Sequence, residues 1–271
     1  MTPMRPLFAS DIDRTLHPDV LGHLLWKTLS DQGLISRDVW YGETISRART
    51  AWEHREIPHN QYSQTLVDEY FRYEALKGMH PSQVIPVCEA LAQEHGAHTC
   101  IFPRLLLAAV KHTGYFTVAI SGSPQQIIDA FCQRWGFDQA IGSELHTDEA
   151  GRFTSINELT VRHFHDKAGV IHRLLADQTL SLDQSIAIGD SATDLGMLRL
   201  VEYPIAMNPS AELLAAARKH HIPVVRECDD GVIVMLRSRN DRETLEEVSV
   251  TEILPSAITQ HMIQSSAGRL Q

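Results

Sequence analysis

The chain has 271 residues, a formal net charge of −10 and 43% hydrophobic residues. That length suits one large domain or a core carrying an inserted subdomain, and the negative charge makes nucleic acid and anionic membrane surfaces poor partners. No apolar run approaches the ~20 residues needed to span a bilayer.

Residues 5–11 have the texture of a buried strand, reached without a signal-peptide run, so the expected location is cytoplasmic. The four cysteines (Cys88, Cys100, Cys132, Cys228) form no CxxC pair, which agrees with a reducing compartment and argues against a disulfide framework or structural zinc. The strand ends in Asp11-Ile12-Asp13. Two carboxylates two residues apart share one side of an extended chain and repel, so a cation or a reaction is expected there.

From Pro18 to about residue 97 the pattern is helical. One helix is predicted from Asp19 to Gly33, and a second from the N-cap Ser36, with Trp40, Ile45, Ala48 and Trp52 on one face. A third follows Pro58 with Leu66, Tyr70 and Tyr73. A fourth starts near Pro81, with Val84, Val87, Leu91 and Ala92 inward. The block reads as an all-helical insertion whose aromatics pack its small core. Its arginines (Arg37, Arg47, Arg49, Arg55) read as a solvated face.

From about residue 100 helix and strand alternate: helix 103–113, strand 115–120 ending in Ser121-Gly122-Ser123-Pro124, helix to Gly136, and strand 140–144. A turn at Asp148–Gly151, helix 163–177 and strand 185–188 ending in Gly189-Asp190 come next. Helix 192–200, strand 204–207, helix 211–219 and strand 222–225 complete the series. Such alternation implies an α/β fold, a doubly wound parallel sheet with ligands outside the carboxyl ends of its strands. The predicted division is a core of residues 1–17 and 98–238, a helical cap of 18–97, and a C-terminal tail of 239–271 to which the pattern assigns no role and no place in the sheet, with a short helix near 256–264.

Three strand ends and one helix start share a chemistry: Asp11 and Asp13, Ser121 and Gly122, Lys167, and Asp190 with Asp194. Carboxylates in that number call for a cation, and Mg2+ suits hard oxygen ligands. The Ser121 hydroxyl, the N–H groups around Gly122 and the Lys167 ammonium suit phosphate oxygens. The fifteen histidines, including His163, His165, His220 and His221, show no ligand spacing on an evident scaffold, so no second metal site is expected.

These motifs resemble the haloacid dehalogenase (HAD) superfamily phosphatases, in the subgroup that includes phosphoserine phosphatase. DxDxT corresponds to Asp11–Thr15, the Ser motif to Ser121, the Lys motif to Lys167, and GDSxxD to Gly189–Asp194, all in family order. The resemblance implies a HAD-like core with an inserted helical cap, Asp11 as nucleophile and Asp13 as general acid–base. It implies Mg2+ on Asp11, the Asp13 carbonyl and Asp190, with Asp194 orienting Lys167 or a metal-bound water, and a small phosphorylated substrate. Ser121, Gly122 and Lys167 would bind the phosphoryl group. A phosphotransferase, a phosphomutase or a non-catalytic phosphometabolite-binding protein are the alternatives. Two positions depart from the pattern. Arg14 stands where many members have a small residue, and Val20, beside Asp19, stands where phosphoserine phosphatases carry a Glu.

Overall fold

The computed structural model of the chain describes residues 4–154, 166–177, 179–228, 231, 233–238 and 244–265. Strand β1 (Arg5–Ser10) enters first, and its side chains divide between two apolar layers, Phe8 to one side and Leu7 and Ala9 to the other. Burial on both faces is the mark of a central strand in a covered parallel sheet.

The helical insertion follows as α1 (Leu21–Asp31), α2 (Asp38–Tyr41), α3 (Glu43–Glu53), α4 (His59–Arg72) and α5 (Pro81–His95). The single helix predicted from Ser36 is two helices. Gly42 leaves the helical region at ψ 159°, and a Cβ there would stand 2.5 Å from the Asp38 carbonyl oxygen, so only glycine allows the break. Inside the cap Leu25, Leu29, Val39, Ile45, Leu66 and Val84 are buried, and Trp26 stacks on Tyr70 with ring centroids 4.5 Å apart.

The chain returns through α6 (Ile101–His112), β2 (Phe116–Pro124), α7 (Gln125–Trp135) and β3 (Gln139–Ser143). A turn at Asp148–Gly151 sends Phe153 back to the cap, where it exchanges backbone hydrogen bonds with Gly78 (2.8 Å) and Met79 (2.9 Å). Then come α8 (Lys167–Asp177), β4 (Leu180–Gly189), a 3₁₀ turn (Ala192–Asp194), α9 (Leu195–Leu198), β5 (Tyr203–Met207), α10 (Ala211–His220) and β6 (Val224–Glu227). His163 and His165 lie outside the described residues.

The sheet order is β3-β2-β1-β4-β5-β6, all parallel, continued by β7 (Ile233–Ser238) and β8 (Leu245–Glu247) in antiparallel pairing. The last two strands correct the sequence reading. Residues 244–265, predicted to lie outside the sheet, supply β8 and then α11 (Ser256–Ser265), whose Ile258 and Met262 are fully buried in the layer that holds α6. Strand β6 also begins two residues later than predicted, beyond Pro223. Helices α6 and α7 cover one face of the sheet, with α5 packed on α7 and α11 on α6, and α8, α9 and α10 cover the other.

Candidate active site

Strands β1, β2 and β4 are neighbours in the sheet, so their carboxyl ends lie side by side. The resulting arrangement is a doubly wound sheet whose central strand ends open into one cleft. A pocket of about 690 Å3 occupies this cleft, with Asp11, Asp13, Arg14, Gly122, Ser123, Lys167, Asp190 and Ser191 on the core side.

Asp11 is nearly fully buried. Its Oδ1 accepts from Lys167 Nζ at 2.5 Å and its Oδ2 from Thr15 Oγ1 at 3.0 Å. Burial pushes this carboxyl well above the usual carboxylate range against the pull of the Lys167 ammonium, and Asp194, Asp190 and Asp13 add to the push. Lys167 is itself 3% exposed and donates equally to Asp194 Oδ1 at 2.5 Å. Burial works against its charge, but the two carboxylates overcome it and hold Lys167 above its ordinary value.

Asp194 has no exposure and does not reach the pocket. Its Oδ2 accepts from the Ser191 N–H at 2.9 Å, which closes the loop after β4. Asp190 does reach the pocket. Burial, and then the Asp194 carboxylate, push it up to about 7, while Arg14 Nε at 3.4 Å pulls it down. The oxygens of Asp11, Asp190 and Asp194 lie within 4.8 Å of one another. A buried, all-carboxylate set with Lys167 and Arg14 to offset it among the described residues fits a hard divalent cation.

Asp13 is clamped from three directions. Its Oδ1 accepts from the Leu21 N–H (2.7 Å) at the start of α1, and its Oδ2 from Ser121 Oγ (2.5 Å) and Ser123 Oγ (2.8 Å). The Ser121 hydroxyl is therefore committed to Asp13, and Gly122 and Ser123 form the pocket wall at the end of β2. Alternation along β2 puts Ser121 and Ser123 on one side, which is how both hydroxyls reach one carboxylate.

The cap wall comes from residues that sequence patterning assigned to packing. Trp26, Tyr70 and Phe71 face the pocket together with Val20, His23, His59 and Val67. His23 and Trp26 are one helical turn apart on α1, a spacing that marks a shared face without saying what that face meets. Burial, and then His59 and Arg14, lower His23 to about 3, and its Nε2 lies 3.2 Å from Ser63 Oγ. Burial and then Arg14 lower His59 to about 4. Arg14 joins the two halves. Its Nη1 donates to His59 Nδ1 at 2.6 Å while its Nε faces Asp190.

Comparison with known proteins gives concordant findings. The profile of the haloacid dehalogenase-like hydrolase family matches residues 8–199. A histidinol-phosphatase of Neisseria meningitidis is 32% identical over 140 residues, 51% of this chain and 63% of that protein. A phosphoserine phosphatase of Streptomyces coelicolor is 30% identical over 183 residues, 68% of this chain and 41% of that protein. The chain thus spans less than two thirds of the length of these curated relatives. Among solved structures, a Bordetella pertussis protein of unknown function superposes with a TM-score of 0.64 at 18% identity, covering 82% of this chain and 98% of that one. A substrate-bound phosphoserine phosphatase superposes at 0.51 with 16% identity, covering 79% and 90%. At such identities the likeness is one of fold.

Proposed function

The chain belongs to the haloacid dehalogenase-like hydrolase family, and on that premise we propose that it is a phosphatase of small phosphate monoesters acting through a phosphoryl group carried on Asp11. One observation carries the reading: Asp11, Asp13, Lys167 and Asp190 meet in a single pocket whose opposite wall is the cap. The names of the phosphatase relatives support it.

An Asp11 oxygen attacks phosphorus in line as the ester P–O bond breaks. Asp13 serves as general acid and gives a proton to the departing alkoxide. Asp13 then takes a proton from water, whose oxygen attacks the phosphorus of the acyl phosphate. Inorganic phosphate leaves and Asp11 is restored. Lys167 and the Gly122 N–H hold the phosphoryl oxygens. The three hydrogen bonds on Asp13 fix its carboxyl before substrate arrives. Asp11, the Asp13 carbonyl and Asp190 would hold a Mg2+, which when bound neutralises charge on the phosphoryl oxygens. Asp194 serves Lys167 instead.

The organic part of the substrate is read from the cap wall. Val20 offers no carboxylate to a substrate ammonium, and Trp26, Val67, Tyr70 and Phe71 give the cap wall an aromatic stretch beside the polar His23, His59, Asn60, Ser63 and Gln64. That wall suits a ring-bearing or apolar monoester better than phosphoserine.

The test is phosphate release from aryl phosphates and a panel of phosphometabolites in Mg2+. Asp11→Asn is expected to lose on the order of a thousandfold or more in kcat with the melting temperature retained. Near-wild-type turnover by that variant sinks the nucleophile assignment. A higher kcat/KM for phosphoserine than for every ring-bearing monoester sinks the substrate class.

A further inference from the structure

The two chain segments joining cap to core cross beside each other, held by a hydrogen bond from the Cys100 N–H to the Leu16 carbonyl at 2.9 Å. At this crossing one ring nitrogen of His17, one of His98 and a carboxylate oxygen of Asp19 lie within 4.8 Å of one another. The two imidazoles meet edge-on with centroids 6.0 Å apart. His17 is fully buried, with Nδ1 accepting from the Asp19 N–H at 3.1 Å and lying 3.2 Å from the Asp19 carbonyl oxygen, while Nε2 has no hydrogen-bond partner among the described residues. Thr99 Oγ1, next to His98, is a second buried polar atom without a partner. A buried polar atom left without a partner is unfavourable unless something meets it.

From this juxtaposition we propose that His17, Asp19 and His98 form a binding site for a divalent transition metal ion, Zn2+ by donor type, that pins the entry and exit strands of the cap together. Two imidazoles, borderline donors, with one carboxylate form a set that Zn2+ takes readily, whereas Mg2+ prefers oxygen alone. With a metal on Nε2, the ring proton moves to Nδ1, which then gives up the Asp19 N–H and donates to the Asp19 carbonyl oxygen beside it, the outer hydrogen bond that commonly fixes the ring of a ligating histidine. Asp19 and His98 are exposed, which leaves an entry path and room for water in the remaining position. The site is separate from the oxygen-only cluster of Asp11, Asp190 and Asp194 and does not depend on the phosphatase reading. Its effect is that of a cross-link. Closing the loop between residues 17 and 98 removes freedom from the opened cap and steadies its hinge.

The full chain is stripped with chelator, desalted and kept in excess Mg2+, and Zn2+ alone is the titrant. One equivalent is expected to bind and to raise the melting temperature. Co2+ in its place is expected to show the visible absorption of a tetrahedral nitrogen–oxygen site. His98→Ala and Asp19→Asn alter exposed side chains, so both are expected to melt like the wild type without metal. Each is expected to weaken Zn2+ binding at least tenfold and to lose the Co2+ band, while Asp190→Asn keeps both signals. Absence of Zn2+ binding by the wild type, unchanged affinity in His98→Ala, or loss of the signal in Asp190→Asn overturns the proposal.

Discussion

Arg14 holds the left-handed backbone region at φ 63°, a conformation that costs a non-glycine residue about 1 kcal/mol. In return its guanidinium spans from Asp190 to His59 and ties core to cap. Arg14→Gly removes the side chain and relieves the backbone together, so stability is expected to change by less than about 1 kcal/mol. The lost contact across the pocket is expected to raise KM about tenfold with a smaller change in kcat, which steady-state kinetics on the best substrate will read. His23 belongs to the same scale. Its folded value of about 3 lies below the unfolded value of 6.5, so between those pH values the unfolded chain binds a proton that the folded chain does not. Stability therefore falls as pH drops below 6.5, by about 2 kcal/mol at pH 5 from this residue. Denaturant unfolding at pH 7.5 and pH 5 is expected to show a smaller acid loss in His23→Gln than in the wild type. Equal losses refute the assignment.

The strand ends were legible as elements because each apolar run stops abruptly at a polar residue. Their internal geometry was not. Gly189 closes β4, and a Cβ there would stand 2.4 Å from Asp194 Cγ. Gly189→Ala is expected to push Asp194 away from Lys167, leaving buried charges mispaired. Destabilisation of about 1–3 kcal/mol and a loss of at least about a hundredfold in kcat are expected, read by denaturant melts and phosphate release. Helices were legible where apolar spacing was regular, as in α5, where Val84, Val87, Leu91 and Ala92 are all buried. The break between α2 and α3 was not, because a single glycine in a helical pattern carries too little signal to show whether the chain turns there.

At the scale of the molecule, the sheet does not end at β6. Strands β7 and β8 extend it antiparallel, and α11 covers α6 on the face that also carries the cap-side helices. Ile258 of α11 has no exposure, so Ile258→Ala is expected to cost about 2–5 kcal/mol in denaturant unfolding. A change under about 0.5 kcal/mol would mean that α11 does not belong to the core. The mixed composition of these segments hid β7 and β8 and the surface on which the predicted helix near 256–264 packs. Three-residue strands and a ten-residue helix take their register from the surfaces they pack on, not from their own periodicity.

By itself the sequence determined the alternation of strands and helices and the run of helices between β1 and β2, and it singled out Asp11, Asp13, Lys167, Asp190 and Asp194 as candidates, because short-range pattern and charged residues at strand ends are local properties. Only the tertiary structure decided what those side chains face. Ser121 turns to Asp13, Asp194 to Lys167 and Arg14 to the cap, and His17, Asp19 and His98 converge where the cap joins the core. The physical reason is that such contacts are set by which strands lie adjacent and how the cap folds over them, and neither is written in the spacing of residues along the chain.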